Sequence, residues 1–244
     1  MLRIPVVLIF CFVLLSQNIF AQSTEQALKE TCGRLKNLQS FKADMIMDID
    51  GKTSKQHFQG NLFSKASVGM RLNMGTMLII MNIKSNTIWT YIPEQKMVTK
   101  IDLDKLTGLL GISSKQLEGF TMQNPKDPYC GLKQGSVKLL KKEVFDGEQT
   151  YVFEGVMDSP IMKFVPQQAQ SSQQTNGTFW ISTKDGMIRK IISNSSSSDV
   201  ITILFKNIQL NPVVNEGDFQ FSPPQGIEVM DMTQMLEQVM QKGK

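Results

Sequence analysis

One histidine, His57, is all that 244 residues supply, and that scarcity removes most hydrolytic and metal chemistry at the outset. No cysteine or second histidine lies near it to complete a metal site, so it reads as a satisfied histidine on a polar strand. Serine and cysteine nucleophiles need an imidazole partner, and no serine sits in a GxSxG turn. The carboxylate pairs Asp44/Asp48 and Asp102/Asp104 fall where solvent-facing charge or a helix cap belongs. Glycine-lysine phosphate loops are missing, and no basic-aromatic stripe suits nucleic acid. The chain reads as a non-enzyme with no metal, no cofactor and no nucleic-acid partner.

Long apolar runs are scarce too. The opening MLRIPVVLIFCFVLLSQNIFAQS has one basic residue, an apolar run from Ile4 to Leu15 and then Ile19-Phe20-Ala21. That run is too short for a membrane span and has the anatomy of a secretory signal over residues 1–21, cut after Ala21. A retained N-terminal anchor is the competing reading. Cys11 lies inside the apolar run rather than behind small residues, so lipidation is not indicated. Residues 22–244 are expected to form a single exported domain, and the full chain's apolar fraction of 41% is sufficient for a core.

Charge and cysteine are equally sparing. The formal charge of +4 loses Arg3 with the signal and is scattered, apart from Lys138-Leu139-Leu140-Lys141-Lys142. A solvated strand face explains that patch, and docking to an anionic membrane or acidic partner is the alternative. Without Cys11, Cys32 and Cys130 remain, in a compartment where disulfides persist. A bond between them would close a loop of roughly 100 residues, and two unpaired buried thiols are the other possibility.

What is present is strand grammar. TEQALKETCGRLKNL, 24 to 38, places Ala27, Cys32, Leu35 and Leu38 on one side of a helix, with Ser23 or Thr24 as cap. SFKADMIMDID then alternates for five periods, one face apolar and one wet. Further strands are expected at 55–63, 67–74, 76–84, 86–92 and 96–101, joined by tight turns into an antiparallel meander. DLDKLTGLLGISSKQLEGF, 102 to 120, switches to helical spacing and predicts two short amphipathic helices with weak points at Gly108 and Gly111. Strands resume at 136–146, 149–157, 178–182, 187–193, 200–210 and 218–222, the last being FQF before Pro223-Pro224. The Gln- and Ser-rich stretch 158–177 reads as a loop inside the domain, and 231–242 as a closing helix. These antiparallel strands with a few helices make a mainly β, α+β chain. One large curved sheet with helices laid over one face is the simplest assembly.

The unusual supply is soft apolar side chains, with 16 methionines and 14 phenylalanines. They fill an ordinary core, or they line a space that fits a changing apolar partner, a task for which methionine is well suited. Several motifs appear in order: Ser40-Phe41-Ala43, GNLF at 60–63, NTIWTYIPEQKMV at 86–98, GTFWISTKDGMIRKI, and FQFSPPQGIEV at 219–229. This ordered set resembles the LolA family of periplasmic outer-membrane lipoprotein carriers and covers nearly all of the mature chain.

The resemblance implies an incomplete antiparallel β-barrel closed by an α-helical lid. An apolar cavity between them would accept lipoprotein acyl chains, taken by a monomer from an inner-membrane releasing transporter to an outer-membrane receptor. By matched position, Phe41, Met45, Met47, Phe63, Trp89, Tyr91, Phe219 and Phe221 are candidates for the cavity, although only half of each alternating pair can face inward. Leu106, Leu109 and Leu110 are candidates for the lid. The family's lid-holding arginine and the proline after it are missing, and Lys65 takes the nearest position as a candidate latch, with one charge in place of a planar fork. An envelope-stress sensor of related fold, or a carrier of a different lipid, is the alternative function.

Overall fold

The structure is a computed structural model that describes residues 23–110, 136–157, 175–194, 199–235 and 237. Its first element is helix α1 (Thr24–Arg34). The Ser23 hydroxyl accepts a hydrogen bond from the Gln26 N–H at 3.1 Å, satisfying one of the free donors at the helix start. The helix stops at Arg34, sooner than the sequence spacing predicts, while Leu35 and Leu38 stay buried beyond it.

Twelve strands follow: β1 (Ser40–Asp50), β2 (Lys55–Lys65), β3 (Gly69–Asn73), β4 (Leu78–Asn82), β5 (Thr87–Ile92), β6 (Met97–Asp102), β7 (Lys138–Phe145), β8 (Glu148–Met157), β9 (Thr175–Ser182), β10 (Ile188–Asn194), β11 (Val200–Leu210) and β12 (Val229–Asp231). Helix α2 (Leu103–Leu110) continues directly from β6. One sheet holds all twelve strands in the order β12-β6-β5-β4-β3-β2-β1-β11-β10-β9-β8-β7. Among the described residues its first and last members do not pair and helices are few, so it is an open, incomplete barrel, as the sequence reading expects.

Two expectations change. The meander is antiparallel throughout except at β12, which the sequence reading does not contain and which pairs parallel to β6. Residues 218–222 are not a strand: Glu216–Phe219 form a 3-10 turn capped by the Asn215 side chain, which accepts from the Gly217 N–H. The carbonyls of Asp218 and Phe219 accept from the Arg71 and Asn82 side chains, and Pro223 and Pro224 have no N–H to extend a ladder. The expected second short helix, in 111–120, lies outside the described residues, as does most of the Gln- and Ser-rich loop; 175–177 belong to β9. The closing helix is described only over 232–235 and at 237.

Where α1 crosses the sheet, the β9–β10 turn must come very close. A Cβ at Gly186 would stand 2.1 Å from the Thr31 carbonyl oxygen, and its φ of +77° is itself left-handed. Only glycine permits that approach.

Candidate functional site

Alternation along the strands, read through the pairing register, sorts the side chains onto two faces. Ala27 and Leu28 of α1 pack on Tyr151, Phe153, Phe179 and Ile181. Leu103 and Leu106 of α2 pack on Met81, with Met70, Ile88 and Ile101 around them. The register carries β8 and β9 through β10 and β11 to β1, β2, β3 and β4 without changing this side. Both helices therefore lie on the same face, α1 over the β7–β10 end and α2 over the β4–β6 end.

Between them, the same face presents Met45, Met47, Leu62, Leu72, Ile79, Ile203 and Phe205 from β1, β2, β3, β4 and β11. Met45 is buried and the others are half-buried. The result is a strip of apolar side chains that crosses the middle of the sheet from one helix-covered end to the other.

The opposite face is polar at its centre and is crossed by the chain from Asn211 to Phe221. Asp44 accepts from the Asn61 and Asn207 side chains there. Lys42 lies 5.0 Å over the Phe63 ring and Lys100 5.6 Å over Trp89, so the stems of these lysines cover aromatic surface while their charges stay wet. A cavity of about 420 Å3 lies near the β1–β2 turn, lined by Asp48, Asp50, Lys55, Gln56, His57 and Thr202. His57 Nδ1 sits 2.6 Å from Asp48 Oδ1, both exposed, which is the satisfied histidine expected from the sequence. Among the described residues no group of three or more His, Cys, Asp and Glu side chains is placed to hold a metal.

The candidates for one cavity separate onto these two faces. Phe41, Met45 and Met47 lie on the helix-bearing face, while Phe63, Trp89 and Tyr91 lie on the other by the same register. Phe219 is fully buried with Val68, Ile80 and Val214, and Phe221 packs against Trp89 and Tyr91 with ring centroids 5.5 and 5.9 Å apart. The eight residues thus cannot line a single space, and Phe219 and Phe221 belong to a second small core beneath the C-terminal segment. The sequence could not show this, because alternation defines two faces without saying which one a helix will cover.

Leu106 is buried under α2 against Met81, and Leu109 and Leu110 are the helix's last two residues. Lys65 does not reach α2. Its Nζ donates to the Val214 carbonyl at 3.3 Å and lies 3.9 Å from Glu216 Oε1, on the other face. Lys84 Nζ bonds Glu216 at 2.5 Å, and this lysine holds the Glu216 carboxyl below its ordinary pKa. Both lysines hold down the C-terminal segment. Cys32 is disulfide-bonded and buried beside Leu35 and Met187; Cys130 lies outside the described residues.

Residues that the sequence reading missed are Leu62, Leu72, Ile79, Ile203 and Phe205. Their signal was the parity of neighbouring strands relative to Met45, which becomes readable once the register is known. Among the described residues no helix is long and apolar enough to cross a membrane.

No family model matches the sequence, and no curated protein matches it. Solved structures do. An uncharacterized conserved protein from Thermus thermophilus is 9% identical over 84% of this chain and 99% of its own, with a TM-score of 0.51. The Mycobacterium tuberculosis lipoprotein LppX is 14% identical over 79% of this chain and 97% of its own, at 0.46. A LolA superfamily protein from Nitrosomonas europaea is 13% identical over 82% and 99%, at 0.38. At such identities the likeness is one of fold: this open, mostly antiparallel sheet with few helices is the architecture of the Thermus thermophilus protein, and a LolA superfamily structure stands among its neighbours.

Proposed function

We propose that the mature chain is a periplasmic carrier that shelters the acyl chains of lipoproteins on its helix-bearing face and moves them from inner to outer membrane. The observation that carries this reading is the apolar strip between α1 and α2. Met45, Met47, Met70 and Met81 lie on that face, and unbranched thioether side chains repack around chains of differing length and unsaturation. Each methylene taken from water contributes about 0.8 kcal/mol, so one long acyl chain represents on the order of 10 kcal/mol that the strip must largely replace and still release. An adaptable surface meets both demands better than a close-packed core does. The direction of transport and the two membrane partners, a releasing transporter and a receptor, are what the resemblance of the ordered motifs to the LolA family implies.

Native mass spectrometry of gently purified mature protein tests the binding. Copurifying acylated ligand is expected, and a protein that is bare in that measurement and silent toward a fluorescent fatty-acid probe removes the reading. Depletion tests the transport: lipoproteins held in the inner membrane support it, and normal sorting turns it toward a sensor or a carrier of another lipid.

A further inference from the structure

The C-terminal segment begins beside β1 and ends at the root of α2. Asn211 Oδ1 accepts from the Gln39 N–H at 2.7 Å, and the Ser40 hydroxyl donates to the Pro212 carbonyl. The segment then runs over β2 to β5, gripped by Lys65, Arg71, Asn82 and Lys84. After the Pro-Pro-Gln-Gly turn it becomes β12 and lies along β6. Two residues later it reaches Thr233, which is fully buried.

Thr233 meets the sheet where β6 becomes α2. Its Oγ1 accepts from the Asp102 N–H at 2.8 Å. Asp102 in turn caps α2, its Oδ1 accepting from the Lys105 N–H at 3.1 Å. Asp231 holds Thr233 in place by accepting from the Thr233 N–H at 2.9 Å and the Gln234 N–H at 3.3 Å. One hydroxyl thus joins the end of the strap to the residue from which the helix springs.

We propose that this strap is the clasp of α2, with Thr233 the positioning residue that sets the hinge at Asp102. Lys65, the latch candidate in the sequence, grips the same strap at Val214, 19 residues before Thr233. Loosening the strap at β12 would free the root of α2 without touching the apolar contacts of Leu103 and Leu106. The further step, that this hinge regulates acyl-chain release, rests on the carrier reading above.

Hydrogen exchange of the full mature chain tests the clasp with no ligand present. In Thr233→Val the Asp102 N–H loses its acceptor with little change of shape, and amide exchange across α2 is expected to rise about five- to tenfold while β8 and β9 stay as in the wild type. Thr233→Ser keeps an oxygen at the same place and is expected to restore wild-type exchange. Unchanged α2 exchange in Thr233→Val, or an equal rise across β8 and β9, overturns the proposal. If Thr233→Val does not fold, Asp231→Ala removes the carboxylate that supports Thr233, leaves its hydroxyl in place, and is read by the same comparison. Release of a fluorescent fatty acid, faster in the same variants, tests regulation separately. A wild type that binds no fatty acid sinks the carrier reading and leaves the exchange result to decide the clasp.

Discussion

The two faces of this sheet are built from the same strands, residue by residue in alternation, yet they cover their hydrophobic side chains differently, one with a strap and the other with two helices. On the strap-bearing face the aromatic rings pack against the strap and one another, with Trp89, Tyr91 and Phe221 half-buried. Phe219 is fully buried, Phe221 tilts against Trp89 and Tyr91, and lysine stems cover what remains. On the helix-bearing face the apolar strip stays half-buried in the interval between α1 and α2. Aromatic content alone therefore does not mark a binding surface. The useful sign is apolar side chains that the fold gathers on one face and leaves partly covered.

The comparison is broken most severely at its closed side. Phe219→Ala is expected to cost about 3–5 kcal/mol in chemical denaturation, because it empties a fully enclosed site, while fatty-acid affinity of the folded protein changes less than about twofold. A large loss of affinity at unchanged stability would return that ring to the ligand. Cys32 of α1 is disulfide-bonded, and Cys32→Ser is expected to lower stability by roughly 2–4 kcal/mol in the same measurement.

Met47→Asn and Ile203→Asn, each on the half-buried strip, are expected to weaken fatty-acid binding about tenfold, or about 1.4 kcal/mol, with a smaller stability loss than Phe219→Ala. Fluorescence titration beside a denaturation curve separates the two effects. Equal losses in both would make the strip an ordinary core.

The smallest effect concerns pH. Glu216 has its pKa lowered by the hydrogen bond from Lys84, so its contribution to stability is present above the unfolded carboxylate pKa. It is lost as pH falls through the lower folded value. Stability of the wild type is expected to decline slightly more steeply on acidification than that of Glu216→Gln, measured as midpoint against pH. Identical slopes would show that the strap does not depend on this ion pair.

Much of this architecture was legible in the chain. β1 is written in SFKADMIMDID with its observed limits, and the hairpins through β6 follow their turn residues. The strap was misread because Phe219 and Phe221 alternate as a strand would, and only tertiary acceptors, Asp218 and Phe219 carbonyls meeting Arg71 and Asn82, divert that backbone from a ladder. β12 escaped notice because three residues carry no period. The candidate site was half legible: Met45 and Met47 were found from their own strand, whereas Ile203 and Phe205 become their neighbours only through pairing across some 160 residues.

That long-range pairing has a consequence for the nascent chain. β1 to β6 form hairpin by hairpin, and β7 to β11 do the same, so each half needs only local contacts. The halves meet along the single seam where β1 pairs with β11. Until residue 210 has emerged, β1 is a raw edge carrying Met45 and Met47 of the apolar strip, and such an edge invites pairing with other chains. The strand that carries Met45 and Met47 thus waits longest for its partner, and the chain's exposure to misassembly is greatest between the synthesis of those two segments.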